Sequence, residues 1–241
     1  SEESTLRAML GTIRHRGPDE FGIYVDDHVA LGNVRLGILD LNTGQQPIAN
    51  EDESLWIVFN GEVFNHPELR QELERRGHRF TTASDTEVVL HAFEEYGAGC
   101  LSRFNGQFAL AIWDTRDSSL FLARDRLGVR PLFYTEAAGA LVFGSEIKAL
   151  LAAPGVTATP DPVALDQIFT FWSTLSPRTF FREIRELPPG HFMLVREGRT
   201  ELERYWEMAF PEGRPAPRRP AREYAEELRD LLVDATRIRL R

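Results

Sequence analysis

Short apolar segments joined by short polar turns recur along this chain and limit what it can fold into. The segments are rich in β-branched, aromatic and leucine residues, which favours strands. The predicted strands span 21–25, 29–41, 55–59, 107–114, 120–124, 132–134, 141–143 and 191–195. The links at 114–119 and 135–140 are too short for a helical crossover, so we expect largely antiparallel sheets.

Amphipathic segments separate some of these strands. Apolar residues at helical spacing predict helices at 67–76, 85–96 and 162–172, and a similar pattern starts at Leu6. Gly77 follows the first of these three segments and suits a C-terminal cap. Antiparallel strands with separate helices predict an α+β fold rather than a doubly wound one.

Composition excludes several classes of function. The 241 residues carry a formal net charge of −9, which disfavours broad binding to nucleic acid or anionic lipid. No apolar run approaches the roughly 18 residues that cross a membrane, and neither a P-loop nor a dinucleotide fingerprint occurs. We therefore expect small-molecule or protein partners, no nucleic acid and no membrane, and the sequence leaves a homodimer open.

Cysteine usage predicts the setting of the protein. The single cysteine, Cys100, excludes an internal disulfide, and no metal-ligand spacing of Cys and His is present. The sequence thus predicts a reducing, cytoplasmic location and no metal site. Cys100 has no histidine beside it in sequence, so we interpret it as a packing thiol rather than a nucleophile.

The C-terminal part of the chain predicts a domain boundary. The Pro- and Arg-rich stretch 209–221 is interpreted as a linker that follows a first domain at 1–208. Within 222–241, apolar residues form one stripe at helical spacing, namely Tyr224, Leu228, Leu231, Leu232, Ala235 and Ile238. Such a stripe needs a surface to cover it, so we expect 222–241 to be the first helix of a second domain.

Asn60, Gly61 and Glu62 follow a strongly apolar strand and invite two interpretations. Taken alone, Asn-Gly between apolar runs favours a two-residue hairpin turn. The same residues also offer an amide, an unhindered backbone N–H and a carboxylate, which together can hold an oxyanion and a cationic group.

Five motifs in a fixed order make the chain resemble a known family. They are HRGPDEFG at 15–22, VRLGILDLNTGQQP at 34–47, FNGEVFNHPELR at 59–70, SDTEVVLHAFEEYG at 84–97 and ARDRLGVRPLFY at 123–134. Together they resemble the glutaminase domain of glutamine-hydrolysing asparagine synthetases, and the likeness continues through FGSEIKALLA and LPPGHFMLV. The resemblance implies a class II amidotransferase domain of the N-terminal-nucleophile hydrolase type. Its expected architecture is a four-layer αββα sandwich of two antiparallel sheets.

The resemblance also implies a role for each candidate site residue. Arg35 would hold the α-carboxylate of glutamine, and Glu62 and Asp85 would orient its α-ammonium group. The Asn60 amide and the Gly61 N–H would form the oxyanion hole. Plainer interpretations remain open, because Arg35 can be a solvated strand residue and Asp85 lies in a sequence, 84–87, that matches a helix capping box.

Two further groups of polar residues are predicted to be structural. His15, Arg16 and Asp19 lie in a Gly-Pro turn and are expected to anchor a loop beside the pocket. The basic residues Arg124, Arg126 and Arg130 have Asp125 among them, which predicts a buried ion-pair network rather than a phosphate site.

The nucleophile that the resemblance calls for is not in the chain. It would be an N-terminal Cys followed by Gly-Ile, whose thiol attacks the amide while its own α-amino group serves as base. Only 14 residues precede His15, and truncation explains this more simply than decay. We therefore expect this polypeptide to bind glutamine at most and not to hydrolyse it.

The sequence predicts the glutaminase part of an asparagine synthetase, which releases ammonia from L-glutamine for the ATP-dependent amidation of aspartate. Its expected partners are L-glutamine and its own C-terminal synthetase domain. ATP and Mg²⁺ are implied for that second domain only, and no cofactor for this fragment. Two alternatives stay open: a related amidotransferase with another acceptor, and a non-catalytic glutamine-binding or structural module.

Overall fold

The computed structural model describes residues 2–35, 44–210 and 219–240. The helices are α1 (Glu2–Thr12), α2 (His66–Arg75), α3 (Asp85–Tyr96), α4 (Ile147–Leu151), α5 (Pro162–Phe171) and α6 (Ala221–Arg237). Short 3₁₀ helices lie at Arg14–Arg16, Gly97–Arg103 and Ile238–Leu240.

The strands form three antiparallel sheets. They are β1 (Glu20–Val25), β2 (Ala30–Arg35), β3 (Ile48–Ala49), β4 (Leu55–Val63), β5 (Gly106–Asp114), β6 (Ser119–Arg124), β7 (Phe133–Ala137), β8 (Ala140–Gly144), β9 (Arg185–Glu186), β10 (His191–Arg196) and β11 (Arg199–Arg204). The largest sheet has the order β11-β10-β6-β5-β4-β3, and the smaller sheets are β1-β2 and β8-β7-β9.

Side chains of β4 alternate between the two faces of the large sheet, and the two faces pack against different hydrophobic cores. Ile57 and Phe59 face a cluster that contains the buried residues of α2 and α3. Val58, between them, faces the other cluster, to which β2, β7 and β8 contribute side chains. The large sheet is therefore covered by helices on one side and by the two small sheets on the other.

Helices α1 and α4 cover the outside of the small sheets. Helix α1 packs on β2, where a Cβ at Gly32 would lie within 2.9 Å of side-chain carbons of Leu6 and Leu10. Helix α4 packs on β7 and β8. The layers are thus α, β, β, α, which confirms the predicted sandwich, although its second β layer consists of two separate sheets.

The predicted helices are all present, with ends shifted by a few residues at most. Three strands were missed: β3 and β9 are only two residues long, and β11 is exposed along its whole length, so none shows a buried apolar run. The predicted strand 29–41 is present as β2 up to Arg35, while 36–43 lie outside the described residues, as do 211–218 of the predicted linker. Among the described helices, none combines the length and apolarity that a membrane span requires.

Candidate functional site

The backbone N–H groups along one edge of β4 form the centre of the candidate site. The N–H of Phe59 donates to Gln46 Oε1 at 2.6 Å, and the N–H of Val63 donates to Asp85 Oδ2 at 2.9 Å. Because backbone N–H groups alternate in direction along a strand, the Gly61 N–H points to this same edge, between the other two. Asn60 and Gly61 therefore lie inside a strand, and the hairpin-turn interpretation of Asn-Gly is wrong.

Gly61 is required by the approach of the neighbouring strand. A Cβ at this position would lie 2.3 Å from the carbonyl oxygen of Gln107 and 2.7 Å from Cα of Phe108. Both distances are far below van der Waals contact, so only glycine lets β4 and β5 pair this closely.

Asn60 carries a buried donor. Its side chain lies on the same face of β4 as that of Val58, toward the second β layer. The Asn60 Nδ2 is buried, and the described residues offer it no hydrogen-bond partner. Buried donors are satisfied in the great majority of cases, so this amide is placed for an acceptor that the described protein does not supply.

A cavity of about 960 Å³ lies next to Asn60. It runs between β2 and β8 and reaches from α1 and α4 down to the large sheet. Asn60 lines this cavity, whereas Arg35, Gly61, Glu62 and Asp85 do not.

Asp85 is the first residue of α3 and only 7% exposed. Burial raises the pKa of its carboxyl, and nearby Glu62 acts in the same direction, while the Val63 N–H and His66 oppose the shift. An ionised carboxylate in this position is costly and gains from a cation beside it.

The capping-box interpretation of 84–87 is confirmed for its N-cap and wrong for its closing glutamate. Ser84 is the N-cap, since its hydroxyl accepts from the N–H of Thr86 at 3.1 Å. Glu87 does not close the box, because its two carboxylate oxygens accept hydrogen bonds from the backbone and hydroxyl groups of Thr81 and Thr82. Asp85 is thus left to bond β4.

Arg35 ends β2 and is mostly buried. Its side chain is 14% exposed, and its Nη1 lies 3.3 Å from Oε2 of Glu20, which it faces on β1. The interpretation of Arg35 as a solvated strand residue is therefore wrong. Gly17 packs against its backbone, since a Cβ there would lie 2.3 Å from Arg35 N.

The loop that carries Gly17 is tied to the start of α4. His15 Nε2 and Arg16 Nη1 lie 3.0 and 3.1 Å from the same oxygen, Oε1 of Glu146. These contacts bear out an anchoring role for His15 and Arg16.

Sequence reasoning missed Gln46, which joins the elements that carry the candidate residues. Its Oε1 accepts from Asn33 Nδ2 at 3.1 Å as well as from Phe59 N, and its Nε2 donates to Thr86 Oγ1 at 3.3 Å. Asn33 lies two residues before Arg35, Phe59 adjoins Asn60, and Thr86 adjoins Asp85. The Gln-Gln-Pro end of the motif at 34–47 was the available signal, because a glutamine beside buried strands needs partners.

Cys100 is a packing thiol, as predicted. It is 1% exposed within the core beneath α3, and burial raises the pKa of its thiol to about 12. A thiol of this kind is almost fully protonated at neutral pH and is a poor nucleophile.

The basic segment around Arg124 is structural, but its pairing differs from the prediction. Arg124 pairs with Glu186 at 2.6 Å. The carboxylate of Asp125 instead accepts from backbone N–H groups, those of Phe108, Leu127, Val129 and Arg130. Arg124 thus forms a largely buried ion pair as predicted, but not with Asp125, because backbone amides of β5 and of the loop at 125–130 bind that carboxylate.

Comparison with known proteins identifies the class. The sequence model of the family described as "Glutamine amidotransferase domain" matches residues 1–206. The chain belongs to this family of glutamine amidotransferase domains, and the predicted family is confirmed.

Two curated relatives show which kinds of protein the chain resembles. The chain is 41% identical over 208 residues to asparagine synthetase [glutamine-hydrolyzing] 3 of Bacillus subtilis, a match that covers 85% of this chain and 34% of the relative. It is 34% identical over 238 residues to amidase chyE of Penicillium rubens, covering 98% of this chain and 35% of the relative. The chain thus spans about a third of the length of the curated relatives it matches.

A solved structure supports the fold. Glutamine phosphoribosylpyrophosphate amidotransferase of B. subtilis, in complex with ADP and GMP, superposes with a TM-score of 0.60 at 22% identity, over 84% of this chain and 46% of that one. The predicted N-terminal-nucleophile hydrolase fold is confirmed.

Proposed function

We propose that this chain binds L-glutamine and is the glutaminase part of a glutamine-hydrolysing asparagine synthetase. The observation that carries the proposal is the buried Asn60 Nδ2, a donor without a hydrogen-bond partner among the described residues, beside a cavity of about 960 Å³. In the glutaminase reaction this amide and the Gly61 N–H stabilise the oxyanion that forms on the side-chain carbonyl.

The charged residues suit the other end of the ligand. The carboxylates of Asp85 and Glu62 hold the α-ammonium group, which explains why Asp85 is tolerated in a buried position that raises its pKa. Arg35 holds the α-carboxylate through its planar guanidinium group.

Spacing along β4 fits this division of roles. Gly61 and Val63 are two residues apart, which places their N–H groups about 7 Å from each other. The Val63 N–H is bonded to Asp85, so the oxyanion site and the ammonium site lie about as far apart as the amide oxygen and the α-nitrogen of an extended glutamine molecule.

The nucleophile in this proposal is a cysteine on a strand of the parent protein that precedes Ser1. Its support is the cavity between β2 and β8, which separates the two pieces of the second β layer and borders Asn60. The 241-residue chain is then expected to bind glutamine without turnover. Mass spectrometry of the native N-terminus tests this, since a processed cysteine upstream supports the proposal and a native chain that begins at Ser1 contradicts it.

The parent protein in this proposal uses the ammonia in an ATP- and Mg²⁺-dependent amidation of aspartate, within the cytoplasm. Residues 1–208 form the glutaminase domain, 209–221 the linker and 222–241 the first helix of the synthetase domain. The resemblance to asparagine synthetase 3 of B. subtilis supports this assignment, and the likeness to amidase chyE favours a second candidate, an amidotransferase with another acceptor.

Titration calorimetry with L-glutamine tests the binding site. We expect binding to the 241-residue chain, no binding of D-glutamine, and at least a tenfold loss of affinity for Asp85→Asn and Arg35→Gln, since truncating one partner of a buried charge pair costs about 2–5 kcal/mol. Arg199→Gln, on the exposed strand β11, is the matched control and should bind normally. A chain that fails to bind glutamine, or that binds it equally well after both site substitutions, contradicts the proposal.

A further inference from the structure

A second cluster of polar residues lies away from the candidate glutamine site and has no role in it. The cluster consists of Glu51, His78, His91 and Glu94, and one ligand atom from each lies within 4.8 Å of all the others. Glu51 lies in the turn between β3 and β4, His78 follows α2, and His91 and Glu94 lie one turn apart on α3.

The closest atoms of the cluster are spaced as ligands around one metal ion. His91 Nδ1 lies 3.2 Å from Glu94 Oε2 and 3.7 Å from Glu51 Oε2, and His78 Nδ1 lies 3.6 Å from the same Glu94 oxygen. Zinc bonds of about 2.0–2.2 Å in a tetrahedron separate neighbouring ligand atoms by roughly 3.3–3.6 Å. Closure around an ion therefore needs a shift of only about 1 Å in the wider pairs.

The second nitrogen of His78 contacts a carboxylate, and that of His91 lies near one without a hydrogen bond to it. His78 Nε2 lies 3.2 Å from Glu95 Oε2, and His91 Nε2 faces Glu87 Oε1 at 3.8 Å. A metal-bound histidine usually directs its second nitrogen at a carboxylate, which fixes the ring and its tautomer. The His78 ring has that arrangement, whereas His91 Nε2 is buried without a hydrogen-bond partner among the described residues. Both rings turn Nδ1 inward.

The outer oxygens of the two carboxylate ligands are also held in place. Glu51 Oε1 accepts from the backbone N–H of Arg79 at 2.8 Å, and Glu94 Oε1 accepts from Asn50 Nδ2 at 3.1 Å. Each glutamate thus has one oxygen fixed by the protein and the other directed at the histidines. These hydrogen bonds orient both glutamate side chains and leave the oxygen that faces the histidines available to a metal ion.

Charge at the cluster favours a divalent cation. Four carboxylates, those of Glu51, Glu87, Glu94 and Glu95, surround the two imidazoles. Arg76 pairs with Glu95 Oε1 at 2.7 Å, on the side away from His78.

We propose that Glu51, His78, His91 and Glu94 form a structural site for a divalent transition metal ion, with zinc as the best match. Two imidazole nitrogens and two carboxylate oxygens suit zinc, and four protein ligands give a closed site without a position for substrate. The ion joins the β3–β4 turn, the segment after α2 and helix α3, and so stabilises the layer of helices that carries Asp85. The sequence predicted no metal site because the four ligands come from separate segments, and only the His-x-x-Glu pair at 91–94 was readable on a helix.

The test uses the untagged 241-residue chain, stripped with a chelator and titrated with ZnCl₂ in a calorimeter. We expect one equivalent of zinc to bind and the thermal midpoint to rise with zinc concentration, because an ion that binds only the folded state stabilises it. Co²⁺ in the same site should show the visible absorption of a tetrahedral complex.

Variants separate this site from adventitious binding. Glu51→Gln and His78→Gln each remove one ligand near the surface, so they should fold and lose more than tenfold in zinc affinity. Glu53→Gln, in the same turn, and His28→Gln, an exposed histidine, are matched controls and should bind like the parent chain. Binding below one equivalent, or binding that Glu51→Gln and His78→Gln leave unchanged, overturns the proposal.

Discussion

At the scale of single residues, the candidate site combines groups that are individually unfavourable. Asp85 is buried with a raised pKa, and Asn60 has a buried amide whose Nδ2 has no partner among the described residues. Both costs disappear when a ligand supplies a cation and an oxygen acceptor. Residues of this kind mark a binding site more clearly than their position in the sequence does.

Substitution of Asp85 should separate stability from binding. The pKa of Asp85 is higher in the folded state than in the unfolded chain. Ionisation of Asp85 therefore lowers the stability of the fold at neutral pH. This penalty is absent below the pKa of Asp in the unfolded chain, about 3.9. Asp85→Asn keeps an oxygen for the Val63 N–H and removes the charge. We expect a higher thermal midpoint at neutral pH, a gain that shrinks as the pH falls toward 4, and weaker glutamine binding. Thermal denaturation of Asp85→Asn and of the parent chain across this pH range checks the prediction for stability. A lower midpoint for Asp85→Asn than for the parent chain at neutral pH contradicts it.

The affinity for glutamine should itself depend on pH. Because the pKa of Asp85 is raised, its carboxylate is protonated at a higher pH than that of an ordinary aspartate and then no longer attracts the ammonium group. Calorimetry should show glutamine affinity falling as the pH is lowered through that range. Asp85→Asn should show a flat profile there, and an equally steep one would assign the effect to another group.

At the scale of elements, Gln46 holds the site together without belonging to it. It bonds β2, β4 and α3 at positions next to the candidate residues. Strand β3 pairs with β4 only at Trp56 and Ile57, so strand pairing does not hold the rest of this edge of β4. The contacts of Gln46 act there in addition to the apolar patterning that sets strand register.

Removal of the Gln46 side chain should therefore loosen the edge of β4. Gln46→Ala leaves the buried N–H of Phe59 without its acceptor, which costs about 1–3 kcal/mol. We expect faster amide hydrogen exchange at Phe59 and weaker glutamine binding. Gln45→Ala, at the exposed neighbouring position, is the control and should leave both unchanged. Unaltered exchange at Phe59 in Gln46→Ala would show that Gln46 does not hold this edge.

At the scale of the whole molecule, α6 stands apart from the sandwich. Leu228, Leu231 and Leu232 are each more than half exposed along one side of the helix. The guanidinium of Arg239 lies 4.3 Å from the ring centre of Phe64, which brings the end of the C-terminal helical segment against the residue that follows β4. An exposed apolar stripe of this kind is a surface for association.

In the isolated chain this stripe should promote self-association. We expect Leu231→Glu to reduce the mass measured by light scattering at high protein concentration, with little change in thermal midpoint because Leu231 is exposed. Val233→Glu changes an exposed apolar residue on the opposite side of the helix and is the matched control. Equal effects of the two variants would assign the change to net charge instead of to the stripe.

Much of the fold follows from local pattern. The segments that became β5 and β6 were readable because both faces of these strands are buried, which leaves continuous apolar runs in the sequence. Helix α3 was readable from apolar residues at helical spacing. Short turns at 114–119 and 135–140 fixed the antiparallel pairing of their strands. The short or fully exposed strands β3, β9 and β11 left no such pattern and were missed.

The sequence by itself determined the class of fold, the family and the identity of the candidate residues, because motif order and apolar spacing are properties of the chain. Tertiary structure alone decided how those residues act. Pairing with β5 placed Asn60 and Gly61 inside a strand instead of a turn, and burial at the start of α3 turned Asp85 into a carboxylate that gains from a cation. Tertiary packing also placed Gln46 in contact with β2, β4 and α3. The same packing brought Glu51, His78, His91 and Glu94 together in one cluster. Distances between distant segments and loss of solvent are set only when the layers pack, so local sequence carries no record of them.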